Sequence, residues 1–470
     1  MFDYTGTYTD KYQLSMSQVY FLKGQRDTVA VFDYFFRRLP FGGGYAVFAG
    51  LNDLLDILEN FRFVKSDLEF LEKQGYRPEF IDYLKEFRFR GKVYGSAEGD
   101  LVFPFHPILQ IEAGIVEAQI VETLLLNILN FQTLIATKAS RMRQAADGRT
   151  LIDFGLRRAQ GPGGYYAARA AFIGGFDSTS NVRAARDYNI PVSGTMAHSF
   201  ISSYDDELTA FTDFAEINPV NCILLVDTYD TMHSGLPNAI TVAKKMEASG
   251  KRLFGIRLDS GDLAYLAKEC RKRLDQEGLD YVKIAVSNQL DEYIIKSLLD
   301  QDAPIDSFGV GTNLVTGSPD AALDGVYKLS FSNDKARIKL SENISKITLP
   351  HRKQVFRILN GDGQFMGADA ITLADETNPA IMYHPLFPLK SLNILKYNKE
   401  PLLNKLMENG VRLNESQPLT LIAEYCRQRL DKLPEEFKRF DNPHIYKIGI
   451  SNDLQSERDR LVNELKNHFR

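Results

Sequence analysis

Cysteine is scarce in this chain of 470 residues: Cys222, Cys270 and Cys426 lie far apart in the sequence and are odd in number. This usage does not fit a disulfide framework and is typical of a reducing compartment. The seven histidines show neither HExxH nor paired-cysteine spacing, which removes the support for a structural metal site. We therefore expect a cytoplasmic protein without a structural metal.

Long uninterrupted apolar segments are also missing. The first residues, MFDYTGTYTDKYQLSM, contain no basic segment followed by an apolar stretch. The most apolar region, around 108–131, is interrupted by Glu112, Glu117 and Glu122. The sequence therefore predicts neither a signal peptide nor a membrane span.

The chain has no excess of basic residues, with 56 Lys and Arg against 61 Asp and Glu and a formal net charge of -5. This balance gives no reason to expect nucleic acid as a partner. Hydrophobic residues make up 44% and charged residues 25%, which is ordinary for a soluble globular protein. An anionic small molecule would have to meet a local basic cluster.

The patterning divides the chain into three regions. Residues 1–130 mix strand-like and helical segments, which indicates an α+β domain. Residues 131–330 repeat a short apolar run, a polar turn and an amphipathic segment, which favours a parallel α/β barrel over an open doubly wound sheet. Residues 331–470 contain strands and then polar helices, without a low-complexity linker, and we expect them to pack with 1–130. The seven apolar runs of the middle region are 151–154, 171–173, 190–192, 222–226, 253–256, 282–286 and 305–308.

In the stretch from 151 to 200, three of these runs are each followed closely by residues that are able to do chemistry. Because reactive side chains collect at the carboxyl ends of parallel strands, we expect these residues to converge on one site. They are Gly155 with Arg157 and Arg158, Asp177 with Ser178, and Thr195 with His198.

An imidazole and an arginine pair stand out in this stretch. His198 at a strand exit could accept a phosphoryl group or act as a general base, or it could be a hydrogen-bonded packing residue. A flat anionic ring could stack on Phe154 while an arginine neutralises its carboxylate. Arg157 and Arg158 are adjacent and cannot both face the site in a regular strand, and both could instead form salt bridges.

Two acidic clusters follow later strands. Arg257 and Asp259 alternate onto the same side and could hold a ribosyl phosphate and a metal or hydroxyl pair, while Asp262 is expected to cap the next helix. Asp227 and Asp230 could bind hydroxyls or Mg²⁺, or be solvated turn residues. A separate glycine loop, GVGTN at 309–313, ends the seventh run, where main-chain amides can approach a phosphate.

Taken together, five segments in register resemble nicotinate phosphoribosyltransferase. A further segment, KITLPHRKQVFR at 346–357, extends the match, with His351 where the family often has glycine. The five segments are TDKYQLSM at 9–16, DFGLRRAQGP at 153–162, GTMAHSF at 194–200, GIRLDSGDL at 255–263 and FGVGTNLVTG at 308–317.

The resemblance implies a type II phosphoribosyltransferase, with an irregular α/β barrel and an α+β domain formed by the N-terminal and C-terminal segments. It implies a homodimer whose active sites lie at the subunit interface. The implied reaction converts nicotinate and phosphoribosyl pyrophosphate into nicotinate mononucleotide and pyrophosphate in NAD salvage, with coupled ATP hydrolysis. Mg²⁺ is the implied cofactor and accompanies phosphoribosyl pyrophosphate and ATP.

The resemblance also implies residue roles. His198, as a phosphohistidine, Arg257 and Asp259 are the expected catalytic residues. Asp177 and Asp227 are further substrate-binding candidates, because of the chemistry of their carboxylates and not because of the resemblance. The substrate contacts that the resemblance implies are Tyr12 from the neighbouring subunit, Phe154, Arg157, Thr195, Gly311 and Thr312.

Two other functions stay open at this point. A nicotinamide-using relative would need a hydrogen-bond acceptor near the pyridine to bind the amide. The same acceptor would repel the carboxylate of nicotinate. The deciding question is whether Asp177 or the hydroxyl of Ser178 or Thr179 faces the ring. The other alternative is a catalytically silent ligand-binding protein on the same fold, against which His198 and Arg257 speak.

Overall fold

The computed structural model describes residues 3–340, 348–387 and 389–468. The chain forms two compact units with two boundaries along the sequence, of which the first falls inside the helix Glu122–Ala145 and the second between the segments Thr312–Val315 and Gly325–Ser332. We call Met1–Thr137 with Ala322–Arg470 the terminal unit and Lys138–Ala321 the central unit. None of the described helices is long and apolar enough to cross a membrane.

The first part of the terminal unit alternates helices with antiparallel strands. The segment around Val29 is rich in β-branched and aromatic residues and forms a central strand, buried along most of its length, as predicted. The elements are α1 (Lys11–Leu22), β1 (Val29–Phe36), a 3₁₀ turn (Pro40–Gly42), β2 (Ala46–Val47), α2 (Leu51–Asn60), α3 (Lys65–Lys73), α4 (Pro78–Lys85), β3 (Lys92–Gly95), β4 (Leu101–Val102), β5 (Leu109–Gly114), α5 (Ile115–Ile120) and α6 (Glu122–Ala145).

The central unit is built on a parallel sheet with the strand order β7-β6-β11-β10-β9-β8. Its elements are β6 (Thr150–Asp153), a 3₁₀ turn (Leu156–Arg158), α7 (Gly163–Ile173), β7 (Ser178–Thr179), α8 (Val182–Tyr188), α9 (His198–Ile201), α10 (Glu207–Ile217), β8 (Ile223–Leu225), a π-helical turn (Thr231–Gly235), α11 (Leu236–Ala248), β9 (Gly255–Leu258), α12 (Leu263–Gln276), β10 (Lys283–Ser287), α13 (Glu292–Asp300), β11 (Ser307–Val310) and α14 (Thr312–Val315).

Four helices of the central unit, α8, α10, α12 and α13, begin at side-chain caps. Asp262 accepts a hydrogen bond of 3.0 Å from the Tyr265 N–H at the start of α12, which confirms its predicted capping role. Buried Ala267, Cys270 and Leu274 then form the inner face of that helix. These short caps and apolar faces hold the helices in place between the strands.

Two of the predicted runs differ from the structure. The run 171–173 is wrong as a strand, because it is the end of α7, an alanine-rich segment of high helix propensity that stops at Gly174 and Gly175. The strand that follows is only Ser178–Thr179. The run 190–192 contributes a single bridge between Thr179 and Val192. The predicted fold class, an irregular α/β barrel with an α+β domain formed by both terminal segments, is confirmed.

The second part of the terminal unit completes one sheet and forms another by itself. A seven-stranded antiparallel sheet has the order β13-β12-β1-β5-β3-β19-β20, and a six-stranded mixed sheet has the order β17-β16-β21-β15-β14-β18. The elements are β12 (Gly325–Ser332), β13 (Lys335–Ala336), β14 (Lys353–Leu359), β15 (Phe365–Leu373), β16 (Ile381–Tyr383), β17 (Ser391–Asn393), β18 (Asn398–Pro401), β19 (Asn404–Glu408), β20 (Val411–Arg412), α15 (Leu419–Lys432), α16 (Glu435–Lys438), β21 (Lys447–Ser451) and α17 (Asn452–His468).

The sequence predicts three strands before the polar helices of this part, at 336–340, 354–359 and 370–373, whereas five further strands, β16 to β20, also precede α15. The expected strand at 336–340 is limited to β13. Within the segment 346–357, residues 346–347 lie outside the described residues. His351 has a φ of 65°, in the left-handed region that glycine adopts without strain. Its backbone conformation explains why glycine suits this position.

Candidate active site

Three strand ends of the central unit bring polar and aromatic side chains together. We call this edge of the parallel sheet the carboxyl edge. Phe154 follows β6, Arg257 lies in β9 just before Asp259, and Ser287 is the last residue of β10. Because parallel strands all end at one edge, residues far apart in the sequence meet here.

Arg257 is the centre of this cluster. Its Nε donates to the Ser287 hydroxyl at 2.9 Å and its Nη1 to the Thr195 hydroxyl at 2.9 Å. Its Nη2 donates to Asp259 Oδ1 at 2.7 Å. The guanidinium carbon lies 5.1 Å from the centre of the Phe154 ring. A guanidinium has five N–H donors, so three of these contacts leave two donors for a substrate.

Asp259 is held as an anion beside this guanidinium. Burial raises the pKa of its carboxyl, but the hydrogen bond from Ser287 and the charge of Arg257 together lower the pKa below its usual value. A charge-assisted pair of this kind has a fixed geometry as well as a fixed charge. The site therefore presents one oriented cation and one oriented carboxylate.

Phe154 can reach its position only because Gly309 lies next to it on β11. A Cβ on Gly309 would stand 2.3 Å from Phe154 Cε2, far inside van der Waals contact. The Phe154 N–H donates to the Val310 carbonyl at 2.8 Å, so the backbone on this side is fixed. An aromatic face next to a cation can bind a flat anionic ring.

His198 begins α9 and stands close to two carboxylates. Its Nδ1 lies 3.1 Å from the Thr228 hydroxyl, and its Nε2 lies 4.0 Å from Asp227 Oδ1 and 3.9 Å from Asp259 Oδ2. The imidazole is 45% exposed, which leaves it accessible to a substrate phosphate. The structure thus joins His198 to the Arg257 cluster through Asp259.

Asp227 has one satisfied and one unsatisfied oxygen. Its Oδ2 accepts from the Asp259 N–H at 2.7 Å and from the Ser260 hydroxyl at 2.8 Å. Its Oδ1 is buried without a hydrogen-bond partner among the described residues, and the side chain is only 2% exposed. An orphaned carboxylate oxygen fits a cation that also binds substrate phosphates, because Mg²⁺ commonly takes one or two protein carboxylates.

Within the described part of the chain, no group of three or more His, Cys, Asp or Glu side chains is arranged to hold a metal ion by itself. Asp230 is not a partner of Asp227, since it caps the π-helical turn through the N–H groups of Met232 and His233. Asp227 and Asp259 are therefore the two carboxylates that could hold Mg²⁺ together with a substrate.

Asp153 supports the loop that carries Phe154. Its carboxylate accepts from the Gly155 N–H at 2.8 Å and from the Thr179 hydroxyl at 2.7 Å. Burial raises its pKa above the usual value despite these two donors. Thr179 is thus occupied by Asp153, and the loop after β6 has a fixed start.

Asp177 is not brought to the carboxyl edge. Its Oδ2 accepts from the Leu151 N–H at 2.7 Å, near the beginning of β6, and forms an ion pair of 3.1 Å with Arg143. The residue lies before β7, because the strand starts at Ser178. Its carboxylate belongs to the opposite end of the sheet from Phe154.

The remaining predicted residues occupy different places. Arg157 and Arg158 lie exposed in the 3₁₀ turn after Phe154, and neither side chain has a hydrogen bond or ion pair with another described residue. Gly311 and Thr312 follow β11, where Gly311 starts the short helix α14. Tyr12 is half exposed on α1 of the terminal unit.

Two hydroxyl residues of the site escaped prediction from the sequence. Ser287 bridges Arg257 and Asp259, and Thr228 contacts His198. The sequence does place both residues after an apolar run, because Ser287 follows the run 282–286 and Thr228 follows Asp227 at the end of the run 222–226. Serine and threonine are too common in turns for that signal to stand out.

Removing the Ser287 bridge has a predictable effect on pH dependence. Ser287→Ala deletes a hydrogen bond that lowers the pKa of Asp259, so we expect that pKa to rise. The acid limb of the pH profile of kcat/KM would move to higher pH, and kcat/KM at neutral pH would fall about tenfold. Steady-state rates from pH 4 to 8 test this, with Ser249→Ala as the control. An unchanged acid limb would show that Asp259 does not depend on Ser287.

Filling the space beside Phe154 should weaken substrate binding. Gly309→Ala forces the Phe154 ring to move, because the new methyl group overlaps it. We expect the KM for the ring-bearing substrate to rise about tenfold, with a smaller change in kcat. Gly361→Ala is the control, since a Cβ there meets nothing within 4 Å. A normal KM in Gly309→Ala would place the substrate ring elsewhere.

Family models of nicotinate phosphoribosyltransferase match most of the chain. The N-terminal domain model matches residues 7–130, the family model residues 150–343 and the C-terminal domain model residues 352–458. The second of these ranges contains the whole Arg257 cluster.

Relatives and solved structures agree with these models. The nicotinate phosphoribosyltransferase of Bacillus subtilis is 44% identical, over 99% of this chain and 97% of its own length. The crystal structure of human nicotinic acid phosphoribosyltransferase has a TM-score of 0.86 at 31% identity, covering 97% of this chain and 99% of its own. The crystal structure of nicotinate-nucleotide pyrophosphorylase from Pyrococcus furiosus has a TM-score of 0.72 at 28% identity, covering 91% and 95%. The chain therefore belongs to the nicotinate phosphoribosyltransferase family.

Proposed function

We propose that this chain transfers the phosphoribosyl group of phosphoribosyl pyrophosphate to nicotinate, forming nicotinate mononucleotide and pyrophosphate. The observation that carries the proposal is the Arg257 cluster, in which Thr195, Ser287 and Asp259 fix a guanidinium beside Phe154. Family membership supports the same reaction. The product places the protein in NAD salvage, and the three free, buried cysteines support a cytoplasmic location.

The pyridine ring and its carboxylate match the chemistry beside β6. Phe154 offers an aromatic surface, Arg257 has two unused N–H donors, and the exposed Arg157 and Arg158 lie one turn away. A planar guanidinium pairs with a carboxylate through two parallel hydrogen bonds. Single substitutions of Arg257, Arg157 and Arg158 would show which of the three arginines binds the carboxylate.

The position of Asp177 favours nicotinate over nicotinamide. Asp177, the acceptor that an amide substrate could have used, is paired with Arg143 near the beginning of β6. The hydroxyl of Thr179, the last residue of β7, is bonded to Asp153. Phe154 therefore lies away from the Asp177 carboxylate, which would repel a carboxylate substrate.

Departure of pyrophosphate leaves positive charge on the ribose, and the chain's carboxylates are placed to assist. Asp259 is held as an anion beside Arg257, and Asp227 is buried near His198. These two carboxylates would hold Mg²⁺ with the substrate phosphates. Bound Mg²⁺ supplies neutralising charge to the leaving group. Gly311 and Thr312 offer main-chain amides to the phosphate of the ribose.

ATP coupling is assigned to His198. Its Nε2 lone pair would attack the γ-phosphorus of ATP, the bond to the bridging oxygen would break, and ADP would leave with that oxygen. Thr228 beside Nδ1 orients the ring for this step. The added phosphoryl charge would order phosphoribosyl pyrophosphate through Mg²⁺, and later hydrolysis of the phosphohistidine would release phosphate and favour product.

A homodimer with shared active sites completes the proposal. Tyr12 is exposed on α1, which leaves its ring available to a neighbouring subunit. Tyr12→Ala mixed with an Arg257→Ala chain would test the sharing, because a heterodimer keeps one intact site. Recovery of activity on mixing the two inactive variants supports a shared site, and no recovery contradicts it.

The reaction itself is tested by supplying nicotinate or nicotinamide with phosphoribosyl pyrophosphate and Mg²⁺, with and without ATP. We expect nicotinate mononucleotide and pyrophosphate in equal amounts, with ATP raising the yield and nicotinamide reacting poorly. Equal use of both pyridines would contradict the preference for a carboxylate. Nicotinate binding without any pyrophosphate release would instead identify a silent ligand-binding relative.

A further inference from the structure

The terminal unit contains a cavity of about 750 Å³ that no part of the proposed reaction uses. Its walls come from β1, the loop before β5, β16, β17 and the region from 444 to 462. Most of the lining is apolar and includes Phe105, Met382, Leu392 and Tyr446. A volume of this size is typical of a site for a small molecule.

The charged groups of the wall leave an excess of positive charge. Asp33 is paired with Lys353 at 2.9 Å, and Asp459 is paired with Arg458 at 2.9 Å. Lys390 and Lys447 also line the cavity, and neither has an ion pair among the described residues. A ligand that complements this wall carries negative charge.

His384 adds an oriented hydrogen-bond donor. Its Nδ1 accepts from the main-chain N–H groups of Leu386 at 3.1 Å and Phe387 at 3.2 Å. Since Nδ1 is an acceptor, the proton of the neutral ring is on Nε2. Burial, with the charge of Lys390, lowers the pKa of His384, which keeps the ring in this neutral form.

The wall around His384 is fixed by main-chain bonds. The His384 N–H donates to the Lys390 carbonyl at 2.9 Å, and the Lys390 N–H donates to the Phe387 carbonyl at 2.8 Å. Arg458 donates to the Pro385 carbonyl at 2.6 Å and ties this loop to α17. Phe105, another residue of the wall, has a φ of 70°, which is strained for a bulky residue and often marks a functional site.

We propose that this cavity binds a small molecule with an apolar body and one anionic group, separate from the substrates of the central unit. The apolar walls would enclose the body. Lys390, Lys447 and the His384 Nε2–H would meet the anion. A neutral molecule of the same shape would lose the charged contacts, and a small anion without the body would lose the burial.

The absence of tryptophan from the chain gives a direct probe. Leu386→Trp introduces the only indole at the cavity wall, at a position already 40% exposed. We expect 4-phenylbutyrate to shift its fluorescence saturably, and 4-phenylbutyramide and acetate to bind at least about fivefold more weakly. Saturating nicotinate should leave the shift unchanged, since its proposed site is in the central unit.

Removing the two lysines that have no ion pair, Lys390 and Lys447, tests whether the positive charge of the wall binds the ligand. In the Leu386→Trp background, Lys390→Ala with Lys447→Ala should weaken 4-phenylbutyrate binding roughly fivefold. Lys23→Ala with Lys73→Ala is the matched control, because both lysines are exposed in the terminal unit and do not line the cavity. Circular dichroism checks that both double variants are folded.

Three results would overturn the proposal. The first is equal binding of the acid and its amide, and the second is unchanged binding in the Lys390 and Lys447 variant. The third is a finding that quenchers do not reach the indole in the free protein and reach it only after the protein is diluted. That last result would show that a second copy of the chain covers the cavity.

Discussion

Replacing His198 with alanine is expected to abolish the stimulation of mononucleotide formation by ATP. The imidazole is the only group proposed to carry the phosphoryl group, and its Nε2 stands within 4.0 Å of Asp227 and Asp259. The coupling free energy of about 1–3 kcal/mol, equivalent to about 5- to 150-fold in apparent affinity, would disappear. Transfer without ATP should continue, because Arg257 and Phe154 are untouched.

Rates with and without ATP, together with label transfer from γ-labelled ATP, measure this effect. His233→Ala is the control, since the His233 side chain is exposed and its one partner among the described residues is Asp230. A His198→Ala protein that still gains rate from ATP and still takes up label would contradict the assignment. Loss of all activity in His198→Ala would show that the imidazole serves the transfer itself.

The second large effect is expected for Arg257→Lys. Lysine keeps the positive charge but cannot bond Thr195, Ser287 and Asp259 at once from a planar group. We expect kcat/KM for nicotinate to fall about 100-fold or more, which corresponds to about 2.7 kcal/mol or more of transition-state stabilisation. Steady-state kinetics at saturating phosphoribosyl pyrophosphate measure the loss.

Arg273→Lys separates this effect from a general loss of arginine contacts. Arg273 lies on α12 and makes only an exposed ion pair of 3.7 Å with Glu277. Its replacement should leave kcat/KM within about twofold, because such surface pairs contribute little. Near-normal kinetics in Arg257→Lys would mean that the fixed guanidinium is not needed for transfer.

The strand pattern of the central unit was predictable where the runs are rich in β-branched residues. The runs at 222–226 and 282–286 correspond closely to β8 and β10. The run 171–173 looked similar by hydrophobicity, but the alanines before it extend a helix instead. Short apolar runs do not distinguish a strand from the end of a buried helix, so local composition decided this case.

The same error explains the placement of Asp177. A strand at 171–173 would have put this carboxylate at the carboxyl edge, whereas the true strand begins after it. Asp177 consequently pairs with Arg143 near the start of β6. A shift of a few residues in a strand boundary thus moves a side chain from one end of the sheet to the other.

The cluster around Arg257 could be anticipated because most of its members lie at the ends of parallel strands. Phe154, Thr195 and Asp259 were all expected near one site, and their contacts with Arg257 bring them there. The role of Ser287 needed coordinates, because a single hydroxyl that bridges two charged groups leaves no recognisable spacing. Pair contacts of this kind depend on register between strands, which the sequence of one chain does not specify.

The decisive experiment is a crystal structure of the protein with bound nicotinate mononucleotide. We expect the pyridine ring against Phe154 and Arg257 in the central unit, with the phosphate at the main-chain amides of Gly311 and Thr312. Mononucleotide bound away from these residues, with Arg257 still bonded only to Thr195, Ser287 and Asp259, would contradict this expectation.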